Sequence, residues 1–532
     1  MKNLIAAILI SLVWVPTVYA DDLLSILGEE EETVKPGELN SRGQLIREVL
    51  PTRTAEQNIF SQFFEKGDYE KALFQWPIAF SGTAFDMSDH GRALYGFLLF
   101  RNGLEVVGLE RIMTVESPSK LNAKLVDMIK AIAPETHKSW TLVQSMWNPE
   151  WTAHLGVATE IRVRARNLYN PEQTKEIEEL IKKTSLSSWE RAWVEWQLVL
   201  SLSLQGKVGK AAKVLAHLMK AENNPISKDL MTLTAARLLY QNGYLDAAIK
   251  YYKEVPKTSD YWFDVQEEIS WAYVRKGQPQ NTLATLKTLM IPEFKPLVGP
   301  ESLFLNSLAQ LKVCDYPGVA KTLSEYRTRF RPKARNLQGL VESADKPSVQ
   351  GFIARMMEQR VTLIELGPEA IKLPRYVTRD EVLAHQIQVQ QRLEAEAKTA
   401  GDLYARSLTG GTGQVGFQAS IEKFRKSVEQ RATQSRNATL SRIQMLAKQE
   451  LTEIQRILDK LHIVEAELIQ QISMAERVIA ASSKKQDVKK GSTGSKSPDA
   501  LSFPFEGEIW FDEISNFKVD IKKGCQAKAA AR

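Results

Sequence analysis

Glu65-Lys66-Gly67-Asp68-Tyr69-Glu70-Lys71-Ala72-Leu73 reads as the end of one helix, a glycine turn and the start of the next. It returns in weaker form as Gln241-Asn242-Gly243-Tyr244-Leu245-Asp246-Ala247-Ala248-Ile249. Gly103, Gly206 and Gly277 mark further copies, and Asp315 stands at the matching place of a sixth. The intervals are 36 residues from Gly67 to Gly103, 37 from Gly206 to Gly243, 34 on to Gly277 and 38 on to Asp315. The 103-residue gap from Gly103 to Gly206 holds about three such periods. A period in this range marks stacked helical hairpins.

Fixed offsets from each mark test that reading. Four residues before it stand Phe63, Leu99, Leu202, Leu239, Tyr273 and Leu311, all large and apolar. Five residues after it stand Ala72, Gly108, Ala211, Ala248, Thr282 and Ala320, all small enough to let the second helix approach the first. Nine after it, Trp76, Ile112, Leu215, Tyr252 and Leu286 are bulky and Ser324 is not. Pro118, Pro225, Pro256, Pro292 and Pro332 close several units, since proline cannot continue a helix.

On these residues the chain resembles tetratricopeptide repeat (TPR) proteins of the exported bacterial envelope type. The resemblance covers residues 53–332, is clearest around Gly67 and Gly243, and leaves residues 119–188 as helical pairs without clean signature positions. It implies a right-handed superhelix whose concave groove commonly binds peptides or partner proteins. The physics agrees, because one hairpin cannot bury its apolar face alone and stacking makes a continuous core. The expected fold class is all-α, with a TPR-like helical-hairpin solenoid, then a long helical coiled-coil hairpin and a short aromatic C-terminal tail.

The chain opens with Lys2, an apolar run from Leu4 to Val15, and Val18-Tyr19-Ala20. This reads as a signal peptide (1–20) cleaved after Ala20 without lipid attachment, which makes the mature chain periplasmic or secreted. An acidic lead-in (21–52) follows. No later stretch is long and apolar enough to span a bilayer, so no transmembrane segment is expected in the mature chain. Net charge is +6 from 70 basic and 64 acidic residues, a balanced surface that argues against nucleic acid.

After the solenoid, residues 333–377 read as connecting helices. Thr378-Arg379-Asp380-Glu381 reads as a capping box opening a helix to about Ser407. The glycine cluster at 410–416 interrupts, and a helical pattern then runs from Phe417 to about Ala481. Within it Ala447, Leu451, Ile454, Leu458, Leu461, Leu468, Ile472, Ala475 and Ile479 form a seam spoiled at Glu465. So long a helix needs a partner for its seam. Either the preceding helix folds back as a hairpin within 378–481, or residues 417–481 self-associate or meet a foreign helix. Residues 482–500 read as a flexible linker and 501–532 as an aromatic docking tail, with Phe503, Phe505, Trp510 and Phe511.

Two cysteines, Cys314 and Cys525, occur in the chain. A disulfide that ties the tail to the sixth repeat is one reading, and a buried Cys314 with an exposed Cys525 is the other. Trp189, Trp193 and Trp196 recur at helical spacing, which fits inter-helix packing or groove aromatics that anchor a ligand. The stretch 411–416, with Gly411, Gly413 and Gly416, matches a dinucleotide glycine signature in letters only, because no strand precedes it. The six histidines are scattered singly, so no metal, cofactor or catalytic constellation is expected. The expected role is a non-enzymatic protein-protein interaction scaffold of the cell envelope. The alternative is a protein that binds or processes cell-wall glycan (peptidoglycan) with an α-superhelical clamp.

Overall fold

The computed structural model describes residues 36–132, 147–164, 172, 174–182, 186–221, 224–409, 415–482 and 517–519. The signal-peptide reading, the linker, residues 410–414 of the glycine cluster and Cys525 lie outside the described residues. Every described regular element is helical, so the chain is all-α. In order the helices are α1 (Pro36–Val49), α2 (Ala55–Lys66), α3 (Tyr69–Phe80), α4 (Ala84–Met87), α5 (Asp89–Arg101), α6 (Glu105–Met113), α7 (Ala123–Ile132) and α8 (Trp151–Arg164). They continue as α9 (Thr174–Lys182), α10 (Ser188–Leu204), α11 (Val208–Leu218), α12 (Lys228–Gln241), α13 (Leu245–Lys253), α14 (Trp262–Arg275), α15 (Pro279–Leu289) and α16 (Pro300–Lys312). The last five are α17 (Tyr316–Glu342), α18 (Pro347–Glu358), α19 (Leu363–Leu366), α20 (Glu381–Thr409) and α21 (Val415–Ser482). No helix among the described residues is long and apolar enough to cross a membrane.

The repeat marks are real turns. Gly67, Gly103, Gly206, Gly243 and Gly277 all have positive φ, and each following residue donates its amide to the carbonyl five residues back, a closing bond of helix C-termini. The sixth turn corrects the register by one: the residue with positive φ is Cys314 (φ 60°), and Asp315 donates to Gln310 O at 2.9 Å. Asp315 therefore matches Asp68, and both accept the amide three residues on, from Gly318 and Lys71. Ala320 is consequently exposed and is not a packing position. Val319 and Leu323 replace it and Ser324 in the core.

With that shift both offsets after the turn are buried in every copy. The small positions Ala72, Gly108, Ala211, Ala248 and Thr282 lie in the core with Val319, and so do Trp76, Ile112, Leu215, Tyr252, Leu286 and Leu323. A Cβ on Gly108 would lie 2.6 Å from Gly96 O, so α5 and α6 meet backbone to backbone.

Three boundaries differ from expectation. Within the expected lead-in, α1 buries Leu45 and Ile46 in the same core as α2–α7. Pro332 does not end the repeat region, because α17 runs through it to Glu342. The lost amide bond is offset by apolar burial on both sides, at Tyr326, Phe330, Leu337 and Leu340. At α20 the cap is Asp380, which accepts Leu383 N at 2.7 Å, while the Thr378 hydroxyl donates to Asp260 Oδ2 at 2.7 Å instead. Thr378 lies too far ahead of the first helical residue to serve as cap.

α20 folds back on the first half of α21, with Asp380 at the start of α20 paired to Arg442. The heptad seam lies beyond that pairing. It packs on the repeat helices: Ile443, Ala447, Ile454, Leu461 and Leu468 share a core with α16 and α17. Tyr326 OH donates to Ile454 O at 2.6 Å, and Glu465, the residue that breaks the seam, pairs with Arg327 at 2.8 Å.

The other end of the hairpin docks on the first repeats. Ala400, Leu403 and Val428 enter the core of α1–α7, Arg431 pairs with Glu110, and Arg406 with Glu70 at 3.0 Å. Helix contacts thus run from α3 through α5, α7, α8 and α10–α17 to α21 and back to α3. The row of helices thus begins and ends against one helical hairpin.

Candidate functional site: a charged junction and a tail cleft

Where α14, the segment after α19 and α21 meet, seven charged side chains are buried together. Helical spacing puts Asp264 and Glu267 on one face of α14, and Glu450 and Glu453 on one face of α21. Between them lie Arg375 and Arg379, with Lys333 reaching in from α17. Arg375 Nη1 is 3.3 Å from Glu267 Oε2 and 3.8 Å from Asp264 Oδ1, Nη2 is 3.2 Å from Glu453 Oε1, and its amide donates to Glu450 Oε2 at 2.8 Å. Arg379 pairs with Asp264, and Lys333 lies 3.6 Å from Glu450 Oε1 while donating to Ala370 O at 2.6 Å. Gly299 leaves the room that the Arg375 guanidinium occupies.

Burial pushes Glu267 up to about 7 against the pull of Arg375, although Ser302 Oγ donates to it. At Asp264 burial is outweighed by Arg379 and Arg375, which keep it below the usual carboxylate range. Burial also lowers Lys333 against Glu450. Such a network holds four chain segments in one register, because removing one of its cations strands buried carboxylates.

A second carboxylate ties the opposite end. Glu396 of α20 accepts Val106 N at 2.6 Å and Val107 N at 3.2 Å, capping the open amides of α6 from outside the solenoid. Burial pushes this carboxyl up to about 7, outweighing the two amide donors.

A cleft of about 410 Å³ between α14 and α15 is walled on one side by Phe517 and Lys518 of the tail. Trp262, Gln266, Ile269 and Tyr273 line it at helical spacing along α14, with Asn281 and Thr285 from α15. The half-buried Phe517 lies under Lys287, whose Nζ is 4.8 Å from the ring centroid.

The residues singled out in the sequence do not gather in one place. The turn glycines and small residues are spread along the row of helices as packing positions. Trp189 and Trp193 are half-buried and stack on each other, centroids 5.9 Å apart. Trp196 is a correction: it is 7% exposed in the core of α10–α12 and cannot serve as a groove aromatic. Cys314 is disulfide-bonded. Sequence reasoning passed over Arg375, Glu396 and Glu450, since an isolated charge in a sequence gives no sign of its burial. Phe517 was within reach of the aromatic tail signal. Among the described residues no group of three or more metal-type donors converges. Compared with family models, curated proteins and solved structures, the chain matches none.

Proposed function

We propose that this chain is a non-enzymatic interaction scaffold of the bacterial envelope, built from tetratricopeptide-type hairpins, whose α14–α15 cleft takes an extended segment bearing an aromatic side chain. The observation that carries this reading is Phe517, a tail residue already packed at the cleft under Lys287. The chain's own tail thus stands in for the ligand: an aromatic anchor flanked by polar backbone, bound to a helix face. Export to an oxidising compartment is supported by the disulfide at Cys314.

The test is binding in trans. A chain ending at residue 500 should bind a labelled peptide of residues 503–522 in a fluorescence-anisotropy titration, and Phe517→Ala in the peptide should weaken it about tenfold or more. A titration in which the alanine peptide binds equally well sinks the proposal. Sedimentation of the same protein with purified sacculi tests the glycan alternative: sacculus binding that persists in excess peptide would favour that reading.

A further inference from the structure

A cavity of about 680 Å³ lies between α17 and the segment leading to Arg375, away from the tail cleft and within the size range of small-molecule sites. One wall is a face of α17 carrying Lys321, Glu325, Thr328, Arg329 and Pro332; the other is apolar, with Val298, Leu363, Ala370 and Ile371. Five cations line it, Lys295, Lys321, Arg329, Lys333 and Arg375, against two acids, Glu325 and Glu450. Lys295 lies 3.5 Å from Glu325, Lys333 3.6 Å from Glu450, and Arg375 is held by the junction acids. The surplus positive charge rests on Lys321 and Arg329.

Arg329 is the informative residue. Its Nη2 donates to Val298 O at 3.0 Å and to Lys295 O, which fixes the guanidinium, yet its Nη1 is buried with no hydrogen-bond partner. A buried donor left unsatisfied is costly, and the side chain that carries it lines a cavity whose far wall is apolar. Burial also draws the guanidinium down to about 10 despite Glu325 and Glu267 nearby, which an added negative charge would reverse.

We propose that this cavity binds a small anionic amphiphile, its carboxylate or phosphate head on Arg329 with Lys321 at the mouth, and its apolar body against Leu363, Ala370 and Ile371. The site is independent of the tail cleft and of the scaffold reading.

Isothermal titration of the full chain tests it with decanoate, decyl phosphate, decanamide and acetate. Decanoate or decyl phosphate should bind saturably, the tighter of the two identifying the head group, while decanamide and acetate bind at least about tenfold more weakly. Arg329→Gln should weaken the anionic probe by a similar factor, and Ile371→Trp, which fills the cavity, should abolish binding. Unfolding midpoints of both variants confirm that they fold. Equal binding of decanamide, affinity unchanged by Arg329→Gln in a folded protein, or no binding of either anionic probe would overturn the proposal.

Discussion

A single methyl group separates tolerated from untolerated change along the row of helices. At Gly108 a Cβ would lie 2.6 Å from Gly96 O and 2.7 Å from Phe100 N, both backbone atoms that cannot step aside. At Gly339, inside α17, nothing lies within 4 Å of the same position. Gly108→Ala should therefore cost about 1–3 kcal/mol by overpacking, whereas Gly339→Ala should stabilise by up to about 1 kcal/mol through the unfolded chain's lost freedom. Denaturant midpoints moving in opposite directions would bear this out; a shared direction would show that the close approach of α5 and α6 relaxes. Cys314 shows the other side of backbone geometry. A search for glycines placed the sixth turn at Asp315, because a non-glycine residue at φ 60° is uncommon, and the shift mistook exposed Ala320 for buried Val319.

At the scale of helices, contacts that close the structure depend on carboxylates that sequence alone could not rank. The seam from Ala447 to Ile479 was legible as a helix face needing cover, but heptad spacing names no partner, and the solenoid's α17 serves as well as a second chain. Glu396 and Glu450 look like solvated helix residues until the other segment arrives over them. The Glu396 cap makes a measurable pH signature. Its folded value, about 7, stands above the unfolded 4.5, so the neutral acid favours folding fully below about pH 4.5, and this contribution is lost as pH rises through 7. Glu396→Gln should lack that loss. Its stability relative to the parent chain, measured by denaturation at pH 4.5 and 8, should improve by up to about 3 kcal/mol on going to the higher pH. A difference that stays constant with pH would mean that the amides of Val106 and Val107 dominate burial at this carboxyl.

For the molecule as a whole, one hairpin stands between an open row of helices and a closed circuit. Open repeat arrays are held together by neighbours only, but here the ends are joined through Leu403 and Val428 at one side and Ile454 and Leu461 at the other. Leu403→Asp combined with Val428→Asp should free the first repeats, raising the radius of gyration in X-ray scattering and speeding hydrogen exchange in α3, α5 and α6. α16 and α17 should stay protected, and an unchanged radius would refute closure. The joint also fixes an order in time. Val106 meets Glu396 across 290 residues of chain, so the first repeats emerge well before their cover does. Throughout that interval the apolar patch later sealed by Ala400, Leu403 and Val428 faces water, and the half-made chain, not the finished one, is the form in need of a chaperone.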